Sequence, residues 1–443
     1  MTIQLSDHFS YTKLLRFTLP TIVMMIFISI YSIVDGIFVS NFVGKTPFAA
    51  VNLIFPFLMV LGSIGFMIGT GGSAIVSKTM GEGNLEKAQR YFSMMVYLAI
   101  ISGIVLTILG ELVLRPVAMA LGAEGAMLED AVLYARILLL ALTLFLLQNV
   151  FQSFLVTAER PNLGLGLTVG AGITNMVLDF LFIAVFHWGL AGAAWATCIS
   201  QVVGGLIPLL YFMAPNSSPL RLVPTRLELR PLRNACINGS SEMVSNLSTS
   251  LVSMLYNFQL MRMIGEDGVA AYGVIMYVNF IFIGAFLGYA IGSAPIIGYH
   301  YGAGNHAELQ NLFRKSVLLI GVSSITMTVL AICSATFLAK IFVSYDAALL
   351  QLTAHGFRLY ALSFLLMGFN IFASSLFTAL SNGVISAVIS FVRTLLFEVA
   401  AVLILPVLLG IDGIWLAVTV AELLAFTLTI GFLLKERSQY HYF

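Results

Sequence analysis

Twelve apolar stretches of helical length run along these 443 residues, each closed off by clusters of charged residues, Gly, Pro and Asn. Their approximate spans are 14–39, 48–77, 91–112, 133–155, 163–186, 191–213, 234–263, 269–299, 315–341, 356–380, 384–409 and 413–434. A bilayer core takes about 20 consecutive apolar residues per helix, and in lipid a helix is the form that satisfies every backbone group within one segment. The pattern therefore predicts an all-α polytopic membrane protein. Charge agrees: 9% of the residues are charged, against about 25% in a soluble domain. The first stretch follows Lys13 and Arg16 but is too long for a signal peptide and contains Pro20 and Asp35, so it is expected to be a retained helix.

The connection around 214–233 carries Pro215, Pro219, Pro224, Pro231 and four arginines and falls midway along the chain. It divides the sequence into an expected N-lobe at 1–213, a linker at 214–233 and a C-lobe at 234–443. An internal repeat at an offset of 221 residues supports the division. Gly81-Glu82-Gly83-Asn84 matches Gly302-Ala303-Gly304-Asn305, Gly44 with Ala49 and Ala50 matches Gly265 with Ala270 and Ala271, and Gly189 to Gly192 matches Gly410 to Gly413. With six spans each, the halves share one orientation. The expected architecture is two pseudo-symmetric six-helix lobes around a central cleft. Lys and Arg divide 14 to 6 in favour of the side that holds the termini and linker, with only Arg393 inside a span. The positive-inside rule makes that side cytoplasmic, in the cell's cytoplasmic (inner) membrane.

Small residues at helical spacing, namely Gly65 and Gly69, Gly166 and Gly170, and Gly284, Gly288 and Gly292, are expected where helices press together. Cys198, Cys236 and Cys333 read as packing residues. His300 and His306 flank the second glycine motif and read as loop decoration.

Ionisable groups at membrane depth cost about 2.5–3.5 kcal/mol each on insertion scales and mark function. Five acids qualify: Asp35, Asp179, Glu242, Glu398 and Glu422. Asp35 stands one turn beyond Tyr31, and Asp179 one turn beyond Asn175, so each pair shares a helix face. With Thr197 in the sixth span, two carboxylates, an amide and a hydroxyl make an oxygen-rich pocket if the helices meet. Such a pocket holds a proton, because neighbouring carboxylates disfavour one another's charge, or a hard cation such as sodium on Asp35 and Asp179; the plainer alternative is a hydrogen-bonded packing cluster. Arg393 and Glu398, five residues apart on one helix, are expected to form a buried pair or network. Glu242, Tyr256, Met276, Tyr277, Phe280 and Phe282 are candidates to line a soft, adaptable wall for apolar cations.

Motifs for zinc hydrolysis, a serine nucleophile elbow or a nucleotide-binding P-loop are absent from the sequence, which points away from an enzyme and leaves an ion gradient as the energy source. A net charge of +1 gives no reason to expect nucleic acid.

In the twelve spans, the repeat, the central linker and the set Asp35, Asn175, Asp179 and Thr197, the whole chain resembles the multidrug and toxic compound extrusion (MATE) transporters of bacteria. The resemblance implies a cation site at those four residues with Tyr31 beside it, and a bending role for Pro20. It also implies a proton- or sodium-coupled antiporter that exports amphipathic organic cations by alternating access, works as a monomer and needs no cofactor. In one branch of the family a glutamate at the place of Glu242 is joined by an acid on the tenth helix; here no acid lies between Arg358 and Arg393. The rival readings are a flippase for lipid-linked sugars or cell-wall precursors, and a membrane receptor or enzyme that transports nothing.

Overall fold

The computed structural model describes residues 3–443. Among them every regular element is helical, and the helices join into twelve rods. These are α1 (Tyr11–Val43), α2 (Lys45–Gly81), α3 (Leu85–Ala120), α4 (Gly125–Leu140 with Leu142–Thr157), α5 (Pro161–Val185) and α6 (Gly189–Met213) in the first half. The second half has α7 (Leu229–Met263), α8 (Glu266–Gly302), α9 (His306–Val343), α10 (Ala347–Ala361 with Phe364–Ala379), α11 (Gly383–Leu409) and α12 (Ile411–Tyr440). Nine of the rods, or eleven when each bent pair is taken as one, are long and apolar enough to cross a bilayer. The twelfth, α7, has 35 residues and reaches about 50 Å at 1.5 Å per residue, but it is rich in Ser and Asn and carries Glu242.

The rods overrun most of the apolar stretches that announce them, α3 by six residues at its start and eight at its end. Two are bent where the sequence shows neither Pro nor Gly: α4 by 58° at Ala141 and α10 by 49° at Leu362 and Ser363. At each bend the backbone tightens to three-residue hydrogen bonds, Ala141 N–H to Leu138 O and Ser363 N–H to Tyr360 O, a 3₁₀ turn inserted in the helix.

The repeat has a conformational cause. Gly44 and Gly265, Gly83 and Gly304, and Gly189 and Gly410 all have φ between +62° and +124°, a region that residues with a Cβ enter only at a cost. Beside the middle pair, Asn84 Oδ1 accepts the Lys87 N–H at 3.0 Å and Asn305 Oδ1 accepts the Glu308 N–H at 3.1 Å. Each copy of the motif thus ends one helix with a left-handed glycine and starts the next with an asparagine cap.

The halves meet along α1, α2, α7 and α8. Gly284, Gly288 and Gly292 of α8 lie against the backbone of α1 around Met25, Ile22 and Thr18. Gly71 of α2 and Gly239 of α7 touch one another's backbones, and Gly81 and Gly302 abut the carbonyls of Tyr299 and Lys78. These approaches run from the middle of α8, at Gly284, to the end of the molecule that holds residues 82–84, 214–228 and 303–305, called here the loop face. Toward the far face the antiparallel register of α1 and α8 would bring Gly36 opposite Gly273, yet both have open space around them. The halves are closed at the loop face and splayed at the far face. Within the first half Gly65 and Gly69 seat α2 on α4, as expected; Gly166 has nothing near it and Gly170 only the Val203 side chain, so the glycine pair of α5 is not a close-packing seam.

A Cβ at Gly239 would run into the Met67 carbonyl. Overpacking of this kind costs about 1–3 kcal/mol, so Gly239→Val should lower the ratio of closed to open forms at the loop face by roughly fivefold or more. Disulfide yield between Lys78→Cys and Tyr301→Cys, whose native side chains form a cation–π contact at 5.1 Å across the seam, would read that change.

Candidate functional site

The first site is built where α1 lies on α5. Gly172 of α5 has no side chain, and the rings of Phe27 and Tyr31 occupy the space a Cβ there would need. That approach lays the face bearing Tyr31 and Asp35 on the face bearing Asn175 and Asp179. The carboxyls of Asp35 and Asp179 lie close enough for each to bear on the other's charge. From α6, Thr197 Oγ1 accepts a hydrogen bond from Asn175 Nδ2 at 3.4 Å. Asp179 and Asn175 are buried, while Asp35, Tyr31 and Thr197 are half-buried. All five residues expected at a cation site are therefore gathered in one place inside the first half.

Four oxygens stand out in this cluster. Asp35 Oδ1, Asn175 Oδ1 and both carboxylate oxygens of Asp179 are buried and accept no hydrogen bond from the protein. A buried acceptor left unsatisfied costs about 1–3 kcal/mol, and two carboxylates this close cannot both carry charge cheaply. A shared proton would relieve both costs, and so would a hard monovalent cation bound by oxygen. Asp179 is also the last residue before a π-helical turn, Phe180–Val185; such bulges recur at functional sites because they free backbone groups.

Sequence reasoning missed Tyr134. It is buried on α4, and its phenol lies within electrostatic range of Asp35, Asp179 and Cys198. Its only signal was a polar tip in an apolar helix, shared with many of the 16 tyrosines. Of the three cysteines Cys198 is buried, Cys236 is half-buried and Cys333 is exposed.

The second half holds a different polar cluster. Arg393 sits in the π-helical turn Val392–Phe397 of α11, and its Nε donates to Glu422 Oε1 of α12 at 2.8 Å. Of the expected pair or network, the short link runs between helices, to Glu422, with Glu398 nearby. Glu422 is buried, and its Oε2 accepts from Asn370 Nδ2 of α10 at 2.7 Å. The tenth helix thus contributes an amide where an acid was lacking. Glu242 of α7 is half-buried and also lies within electrostatic range of Arg393.

The aromatic candidates do not form one wall. Tyr256 is buried and stacks on Tyr272 with centroids 4.8 Å apart. Tyr277 is partly exposed and stacks on Phe342 of α9, and Phe282 stacks on Phe364 of α10. Met276 is half-buried and Phe280 exposed; the Phe280 carbonyl accepts from Ser29 Oγ of α1 at 3.0 Å, where the halves begin to part. Pro20 is buried in α1, which continues helical through it. His300 is buried in the last turn of α8 rather than displayed on a loop, whereas His306 is exposed.

The MatE family model matches residues 20–181 and 243–403. The multidrug export protein MepA of Staphylococcus saprophyticus is 22% identical over 435 residues, spanning 96% of this chain and 94% of its own length. MepA of Staphylococcus aureus strain MRSA252 is 21% identical over 437 residues, with the same coverage. Among solved structures, an outward-facing multidrug resistance MATE family transporter of the MOP superfamily aligns with a TM-score of 0.92 at 24% identity, covering 98% of this chain and 97% of that one. A crystal structure of MATE in complex with MaL6 gives 0.92 at 23%, covering 98% of both chains.

Proposed function

The chain belongs to the MatE family, and on that premise we propose that it is a proton- or sodium-coupled antiporter that exports amphipathic organic cations by alternating access. The observation that carries the reading is the pair Asp35 and Asp179, facing one another with unsatisfied buried oxygens near the splayed end of the first half. The 14-to-6 bias of Lys and Arg supports cytoplasmic termini, which makes the loop face cytoplasmic and the far face external. The proposed lobes are 1–213 and 234–443, joined by a cytoplasmic linker at 214–233, in a monomer in the cytoplasmic membrane.

In this state the site receives a proton or sodium ion from outside. Neutralising the two carboxylates removes their repulsion and changes which packing of α1 on α5 is favoured, with Pro20, which lacks one backbone hydrogen bond, as the bending point. Glu242 supplies negative charge for a cationic cargo, with Met276, Tyr277 and Phe280 at the splayed end of α8 as apolar contacts and Tyr256 acting from the packed interior. A flippase for anionic lipid-linked cargo is less well supported, because Arg393 is already bonded to Glu422.

Removing the Thr197 hydroxyl takes away the partner of the Asn175 amide. At about 1 kcal/mol for such a bond, Thr197→Ala should raise the half-saturating concentration of the coupling ion roughly fivefold and leave the maximal rate of ethidium export from reconstituted vesicles near that of the wild type. An unchanged ion dependence would remove Thr197 from the site.

A further inference from the structure

At the loop face a segment without helix, residues 3–10, with a turn closed by the Asp7 N–H to the Gln4 carbonyl, crosses the seam between the halves before α1 begins. Leu5 and Phe9 are both fully buried. On the first half, the Leu5 N–H donates to Glu159 Oε1 at 2.7 Å in the turn between α4 and α5. On the second half, the Phe9 N–H donates to Glu308 Oε1 at 2.9 Å, and His8 Nδ1 lies 2.6 Å from Glu308 Oε2. The Phe9 carbonyl accepts from Lys315 Nζ at 2.6 Å and from Asn311 Nδ2 at 3.0 Å. Between these anchors the backbone of Leu5 and Asp7 faces the buried His300, and the Phe9 ring meets that imidazole edge-on at 6.5 Å.

Two features mark these contacts as more than the docking of a chain end. Glu308 is a buried carboxylate whose partners, apart from Asn311 on its own helix, all come from this segment. A buried charge stripped of its partners is strongly unfavourable. Glu159 has φ +61°, a conformation that costs a residue with a Cβ and persists where its surroundings impose it. The segment also packs on His300, two residues before Gly302, where the Lys78 carbonyl of α2 abuts α8. The halves cannot part there without detaching it from Glu159 or from Glu308.

We propose that residues 3–10 are a latch that holds the loop face closed, with Glu159 as its catch on the first half and Glu308 as its catch on the second. This rests on the alternating-access reading: the latch releases one catch each time the protein opens inward.

The test uses the full chain with Cys198, Cys236 and Cys333 replaced by Ser, and spin labels on Glu86→Cys and Ala307→Cys, which are exposed on opposite halves of the loop face. Glu308→Ala removes one catch; Glu159→Gly removes the other while relieving the left-handed backbone. Each should raise the open fraction in the pulsed-EPR distance distribution about tenfold, since bonds to a charged carboxylate are lost. The double variant should open little further than either single variant, because a strap is freed by losing either end. An unchanged distribution, with or without a lower melting temperature, would overturn the latch. So would a shift in Glu308→Ala alone. The distances read closure directly, so a wild-type protein that moves no cation in vesicles would refute the transport reading and leave this test standing.

Discussion

Asp35→Asn and Asp179→Asn are each expected to reduce gradient-driven export to the level of empty vesicles while leaving the protein folded. Asparagine keeps the volume and the hydrogen-bonding ends of a protonated aspartic acid, so the packing of α1 on α5 around Gly172 is preserved. What is lost is the ability to alternate between charged and neutral forms, which couples the gradient to the lobes. One elementary charge moving through 100 mV carries about 2.3 kcal/mol, close to a fiftyfold bias in cargo, and a site fixed in its neutral form forfeits it. Because two neighbouring buried carboxylates disfavour one another's charge, either substitution should leave the melting temperature in detergent unchanged or raised. Loss of transport together with loss of folding would mean that the cluster serves packing instead.

The second large effect falls on stability. The Arg393 and Glu422 side chains are 12% and 4% exposed, and breaking such a buried pair from one side costs about 3–5 kcal/mol, because it strands the other charge. Arg393→Ala should therefore lower the melting temperature by several degrees, with Glu422 left to Asn370 alone. Replacing both residues with Met removes the stranded charge and should recover most of the loss. A double variant as unstable as the sum of the single ones would show that the two side chains act independently.

Much of this could be read in the sequence, because the bilayer imposes rules on single segments. Each helix must be about 20 residues long and nearly free of charge, so the rods and the rare buried acids stand out. The repeat was visible because left-handed turns fall at Gly44, Gly83 and Gly189 and at their partners 221 residues on. Tyr31 with Asp35, and Asn175 with Asp179, were legible because one helical turn fixes each pair on a face. The joining of these pairs was not, since Gly172 admits α1 through the absence of a side chain.

What escaped depends on contacts between helices or on backbone geometry without a residue signature. The choice of Glu422 over Glu398 by Arg393 depends on α12 lying beside α11. The bends at Ala141 and at Leu362 and Ser363 contain neither Pro nor Gly. Tyr134 is one phenol among many, and its relation to the carboxylates exists only once α4 is placed. His300 read as loop decoration, and residues 3–10 gave no signal, because burial at the loop face comes from the closed arrangement of the two halves.

The most direct measurement of the central claim is export of ethidium by the purified protein in liposomes under imposed pH and sodium gradients, run in parallel. The account predicts that at least one gradient drives ethidium against its own concentration difference, that collapsing that gradient stops it, and that Asp35→Asn abolishes it. Ethidium movement equal with and without a gradient, or absent under both, would contradict a cation-coupled antiporter.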